Sequence, residues 1–256
     1  MMLSENLFTP DHPNLIPPSH RDRKIWRYMS LGRYATLLRQ RQLFFASVAS
    51  QDDRWEGSHG LWYAAGVELI SFFTKVSWSG ISLKDFSAKW NAWVRSWTYV
   101  NCWHMNTGDS EAMWKLYASD EGSVAVQSTY SRLRNALPGH IGIGRVVYHD
   151  FYATPPQPTP FKGYPSEFVF KRRSLAHERE LRALLQIVPL TEDGVVDLWV
   201  EPQAPGVGID VDLGVLIEAV HVQPDVPDWL LETVKDLTTR YGVAAPVEQS
   251  RDDALF

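Results

Sequence analysis

Residues 24–47 read KIWRYMSLGRYATLLRQRQLFFAS, and their pattern decides the fold class. Lys24 to Met29 alternates apolar and polar positions as a strand does, and Ser30 is placed to cap a helix. Leu31, Tyr34, Leu37 and Leu38 then recur at steps of three and four, the spacing of one helix face. Leu43 to Ser47 returns to a strand. A strand, a helix and a strand in such short order predict a central sheet with helices packed beside it, an α+β fold.

The rest of the chain extends this pattern. Helical spacing predicts helices over Ser58 to Val76, over Ser82 to Val94 and, at the end, over Asp228 to Tyr241. Tyr99 to Met105 reads as a buried strand followed by a short helix, Ser110 to Tyr117, capped by Thr107 or Asp109. Ser123 to Gln127 is a strand running into a helix through Tyr130, Leu133 and Leu137. Further strands are expected at Ile141 to Tyr148, Glu178 to Val188, Val195 to Val200, Val207 to Val211 and Leu216 to Val222. Ala153 to Pro165 is a proline-rich loop. The first 23 residues are polar and proline-rich without periodicity, an arm that lies on the surface or is disordered. From residue 24 to 256 the pattern is that of a single domain with a mostly antiparallel or mixed sheet flanked by helices.

With 256 residues, 45% of them hydrophobic, the chain can bury a sizeable core. A net charge of −5 supplies no general field for nucleic acid, and a single cysteine, Cys102, leaves no internal disulfide. No apolar run is long enough to cross a bilayer and the N-terminus lacks a signal-peptide pattern, so a cytoplasmic location away from membranes is expected. Eleven tryptophans are many, and each indole needs both apolar surroundings and a partner for its N–H.

Polar residues inside apolar blocks mark the candidate site. In NCWHMNTGDSEAMWKLY, His104 ends a strand and Ser110, Met113, Trp114 and Tyr117 share a helix face, either as core or as the wall of a pocket for a flat ligand. In GSVAVQSTYSRL, Ser128 and Thr129 stand where a helix begins, either as its cap or as part of an anion site. In HERELRAL, strand alternation puts Glu178, Glu180 and Arg182 on one face. The two carboxylates then either raise one another's pKa over a shared substrate or join an ion network with Lys171, Arg172 and Arg173. Arg27 and Tyr28 fall on opposite faces of the first strand. Asp52, Asp53 and Glu56 in DDRWEG have no regular ligand spacing, and no metal is predicted.

IWRYMSL, DDRWEG, NCWHMNTGDSEAMWKLY, GSVAVQSTYSRL and KRRSLAHERELRAL together resemble the bacterial family catalogued as domain of unknown function 2971, along nearly the whole chain. An early strand arginine, a Ser-Thr pair and a later Glu-x-Glu also resemble the arginine-serine-glutamate ADP-ribosyltransferases. That resemblance implies NAD as a substrate, with Arg27 holding its phosphates and Ser128 and Thr129 shaping the nicotinamide pocket. It gives transfer to Glu180 assisted by Glu178, with an acceptor that the sequence does not identify. Tyr28, Trp103, His104, Ser110 and Trp114 complete the expected cofactor wall, with Trp103 or Trp114 stacking on a base. Two other readings remain open: a non-catalytic module that binds a nucleotide-like molecule or a protein, and a hydrolase using His104 or His177 with Glu180. Nothing resembles a nucleophile elbow or a P-loop.

Overall fold

Ser30 turns the first long strand into a helix. Its Oγ accepts the Arg33 N–H at 3.4 Å and so satisfies one of the donors a helix start leaves open. The helix, α1 (Leu31–Gln40), stops at Arg41, whose left-handed backbone (φ 54°) redirects the chain into the next strand. The computed structural model describes residues 2–51, 83–117, 122–150, 166–194, 196–197, 199–202 and 204–250. The expected helix over Ser58 to Val76, the DDRWEG cluster and the loop from Ala153 to Pro165 lie outside them.

In chain order the strands are β1 (Met2–Leu3), β2 (Lys24–Ser30), β3 (Gln42–Ser47), β4 (Thr98–Met105), β5 (Ser123–Thr129), β6 (Gly142–Arg145), β7 (Val147–His149), β8 (Phe170–Arg172), β9 (Glu180–Gln186), β10 (Pro189–Leu190), β11 (Gly206–Asp210), β12 (Ala219–Val222) and β13 (Val247–Gln249). The helices after α1 are α2 (Leu83–Ser96), α3 (Glu111–Tyr117), α4 (Tyr130–Ala136), α5 (Leu213–Leu216) and α6 (Asp228–Arg240). Nine of the described strands form one mixed sheet, antiparallel throughout except for the β12–β13 pair, so the fold is α+β. None of the described helices is long and apolar enough to cross a membrane.

The sheet forks at β4. One edge of β4 pairs with β9 along its whole length, from Thr98↔Gln186 to His104↔Glu180. The other edge is shared: β3 takes Tyr99 and Val100, while β2 takes His104 and Met105. β11 extends the β3 branch, and β5, β12 and β13 extend the β2 branch. The main core fills the fork, where Tyr34, Leu37 and Leu38 of α1 meet Trp103, Phe45, Ile25 and Val126. α6 adds Leu230 and Val234 to this core, and Tyr34 donates to Thr238 at 2.8 Å because the Thr238 hydroxyl proton is already given to the Val234 carbonyl.

The N-terminal arm is part of the fold. Met2 and Leu3 pair with β10, Phe8 and Leu15 are buried against Phe168, Val100 and Leu184, and the buried Asn6 accepts the N–H groups of Phe8 and Gln186. Gly142 and Gly144 admit it: a Cβ on Gly142 would run into the Phe8 carbonyl, and one on Gly144 would lie 2.9 Å from Leu15 Cα. Of the predicted strand at 195–200, the described residues show one bridge, Val196 with Leu190. The predicted strand at Glu178 to Val188 begins at Glu180. Residues 173–178 instead wind as a 3₁₀ turn that Arg179 ends in a left-handed conformation (φ 41°).

Candidate functional site

Pairing along β4 and β9 sorts the side chains by parity. Trp103, Leu181, Ala183 and Leu185 point into the main core. Val100 and Leu184 face the other side, in a second apolar cluster with Phe8, Val94 and Phe168. On that side a third cluster, Trp26, Tyr28, Met113, Trp114 and Ala125, packs α3 on the β2 branch. Cys102, His104, Glu180 and Arg182 stand between these two apolar clusters.

Glu180 is almost fully committed. Arg182 donates through Nε to Oε1 at 2.5 Å and through its NH2 group to Oε2 at 3.2 Å, and Lys171 Nζ lies 2.9 Å from Oε2. Its backbone N–H is given to the Tyr148 hydroxyl at 2.8 Å. Arg182, itself fully buried, also donates to the Phe168 carbonyl at 2.8 Å. Lys171 reaches Glu178 as well, at 2.6 Å, so one ammonium holds both carboxylates although Glu178 is not on the strand. The expectation that the two acids raise each other's pKa is therefore corrected for Glu180. Burial alone would raise it, but the charges of Arg182 and Lys171 and the hydrogen bonds of Arg182 and Cys102 outweigh burial and hold it at about 2.

This predicts an acid transition. The Glu180 carboxyl titrates near 4.5 when unfolded and at about 2 in the fold, so the unfolded chain binds the proton first. The stability this group contributes is complete above pH 4.5 and is lost as pH falls toward 2; for a shift of this size it amounts to on the order of 3 kcal/mol. The urea midpoint of the wild type should fall through this window more steeply than that of Glu180→Gln. Parallel curves would contradict the assignment.

Arg27 fills the gap at the fork. Between the β3 and β2 pairs, side chains replace backbone partners: Arg27 donates to the Cys102 carbonyl at 2.8 Å and Asn101 to the Phe44 carbonyl at 2.9 Å. Arg27 has no ion pair among the described residues, and burial lowers its pKa while the more distant charge of Glu180 opposes this.

Tyr28 accepts the Ser110 N–H at 2.8 Å, and its phenol is pushed up by burial. Trp114 stands edge-on to Tyr28 at 4.9 Å and gives its indole N–H to Asp109 at 3.0 Å. Asp109 also accepts from Ser250. His104 gives Nδ1–H to the Glu178 carbonyl at 2.6 Å, an acceptor that fixes the tautomer. Its Nε2 is buried and has no hydrogen-bond partner among the described residues. Burial lowers the His104 pKa, the Glu178 carbonyl raises it, and the nearby charges of Arg179, His177 and Arg23 lower it further.

The expected residues therefore divide. Tyr28, His104, Ser110, Trp114, Glu178 and Glu180 gather on one face of the fork, whereas Arg27 leaves β2 on the opposite face, with Ile25, Met29 and its pairing partner Val126, and reaches into the gap to the Cys102 carbonyl. Ser128 lies elsewhere: it pairs with Ile25, faces the main core, and donates to the Leu216 carbonyl at 2.6 Å. Thr129 is the cap of α4, accepting the Arg132 N–H at 3.2 Å. Trp103 is 2% exposed within the main core and gives its N–H to Asn101 at 2.7 Å, so it is not placed to stack on a ligand. The sequence reading missed Tyr148, Cys102 and Arg23; only Arg23, next to the first strand, carried a local signal, and the arm assignment hid it. Among the described residues no group of three or more His, Cys, Asp or Glu is placed to share a metal ion.

No family model, no curated protein and no solved structure matches this chain. The two resemblances rest on the sequence blocks alone.

Proposed function

We propose that the fork, with Arg27 in its gap and Tyr28 and His104 on one face beside it, is a binding site for a nucleotide-like small molecule, and that the chain acts in the cytoplasm as a binding module. One observation carries the choice of binding over turnover: both oxygens of Glu180 are held by Arg182 and Lys171 inside the protein. A carboxylate so held accepts a ribose hydroxyl only by giving up a buried cation. The Arg27 guanidinium, which has no ion pair among the described residues, supports the anionic part of the ligand, because its planar fork suits phosphate oxygens.

A second reading, consumption of NAD by transfer or hydrolysis, is favoured by the Lys171 bridge. It keeps Glu178 beside Glu180, and Glu178 has this one ion pair among the described residues and the larger exposure of the two. In that reading Glu178 rather than Glu180 meets the ribose as positive charge develops on it. The binding reading is tested by calorimetric titration of NAD. Wild type binds, and Arg27→Ala, which removes a cation from the phosphate, binds about tenfold or more weakly, in line with the loss of a charge-assisted hydrogen bond. Equal affinity of the two proteins would contradict it.

A further inference from the structure

We propose that His104 selects the ligand of this site by accepting a hydrogen bond from it, so that the bound molecule is an anion carrying its own O–H or N–H donor, such as a phosphomonoester or a ribonucleotide. The inference rests on the binding reading above and deepens it. Three independent observations meet at this residue.

First, the imidazole is oriented and its proton placed. Nδ1–H is given to the Glu178 carbonyl at 2.6 Å, which leaves a lone pair on Nε2. His104 is 7% exposed and Nε2 has no partner among the described residues, whereas buried acceptors in folded proteins are almost always satisfied. Nε2 is closed to solvent in the unliganded protein, so a ligand meets this acceptor only by parting the side chains that cover it, and what it then presents must be a donor.

Second, the charges around the ring are positive. Arg179, His177 and Arg23 all lie near enough to oppose its protonation, and neither Arg23 nor Arg179 has an ion pair among the described residues. The surroundings thus ask for an anion while His104 asks for a donor. Tyr28, edge-on to the imidazole at 6.4 Å, gives an aromatic flank.

Third, the backbone next to the ring is strained. Arg179 is a non-glycine residue in the left-handed region, at φ 41° and ψ 51°, and such conformations concentrate at functional positions. The turn at Arg179 places the Glu178 carbonyl against His104, and the Arg179 carbonyl accepts the Met105 N–H at 2.9 Å. Among the described residues the exposed Arg179 side chain is tied only to Asn106, at 3.3 Å, a bond that a ligand can replace as it draws the side chain in.

Such a site discriminates by repulsion as well as by attraction. An anion without a proton would set an oxygen lone pair against the Nε2 lone pair. Phosphate keeps a proton at neutral pH and sulfate does not, so the two are matched probes of equal shape. Titrating each into the full-length protein, while following the imidazole nitrogens of His104 by NMR, tests the proposal. Phosphate should bind about tenfold more tightly than sulfate and shift Nε2, the size expected of one hydrogen bond to a charged group. His104→Phe should erase this preference, and Arg179→Gln should weaken both anions alike. Because the wild-type comparison needs no variant, a misfolded His104→Phe leaves the test intact. Equal affinities, or an Nε2 resonance that phosphate leaves unmoved, would overturn the proposal. NAD in the same titration separates the two claims. If phosphate is preferred and NAD does not bind, the nucleotide reading fails and the donor rule stands; if NAD binds without moving Nε2, the donor rule fails alone.

Discussion

Replacing Arg182 by leucine should lower folding stability by about 3–5 kcal/mol, the range for stranding one charge of a buried ion pair. Arg182 is fully buried and Glu180 is 4% exposed, so the carboxylate that loses its guanidinium is left in a site shielded from bulk solvent. Lys171 would remain beside Glu180, at 2.9 Å from Oε2, but it is shared with Glu178. The Phe168 carbonyl would lose its donor as well. The informative control is the double variant Glu180→Leu with Arg182→Leu. It removes both charges, leaves Lys171 to Glu178, and should recover most of the loss, since buried pairs replaced by apolar side chains are often neutral or better. Urea midpoints of the wild type, the single and the double variant check this. A double variant less stable than the single would show that the pair contributes more than mutual neutralisation.

Trp103→Ala is expected to cost a similar amount, about 3–5 kcal/mol, through the cavity it leaves. The indole sits in the fork, where the β2 and β3 branches part and no backbone pairing can close the gap. Removing it also leaves Asn101 Oδ1 without its 2.7 Å donor, and Asn101 is the residue that ties β4 to the Phe44 carbonyl. Trp103→Phe separates the two contributions because it keeps most of the volume and loses only the N–H. Thermal or urea unfolding checks both. A Trp103→Ala protein as stable as wild type would mean the fork is not held by this side chain.

How far the sequence could be read follows from where the information lies. Ser30, Tyr34, Leu37 and Leu38 specify α1 locally, and the helix forms where expected. The split of the β4 edge between β2 and β3 depends on register between segments far apart in the chain, which no local pattern carries. Glu178 shows how alternation can mislead. HERELRAL keeps a two-residue period across its charges, yet Arg179 takes a left-handed conformation and the strand starts two residues later than the pattern suggests. The pair of acids still meets, but through Lys171 and not through a shared strand face. Ser128 and Trp103 are polar or amphipathic residues whose partners, Leu216 and Asn101, satisfy them inside the core. From sequence alone such residues cannot be told from ligand contacts. The arm looked unstructured because Phe8 and Leu15 have no period, and what admits them is the bare backbone of Gly142 and Gly144.

Nicotinamide release from NAD bears most directly on whether Glu180 is a buried counter-ion or an acting group. Wild-type protein and the Glu178→Gln and Glu180→Gln variants would be incubated with NAD for hours and the free nicotinamide measured. The account predicts that wild type binds NAD and returns it intact, and that Glu180→Gln changes the melting temperature and not the chemistry. Release by wild type, abolished in a Glu180→Gln protein that still folds and still binds NAD, would contradict it.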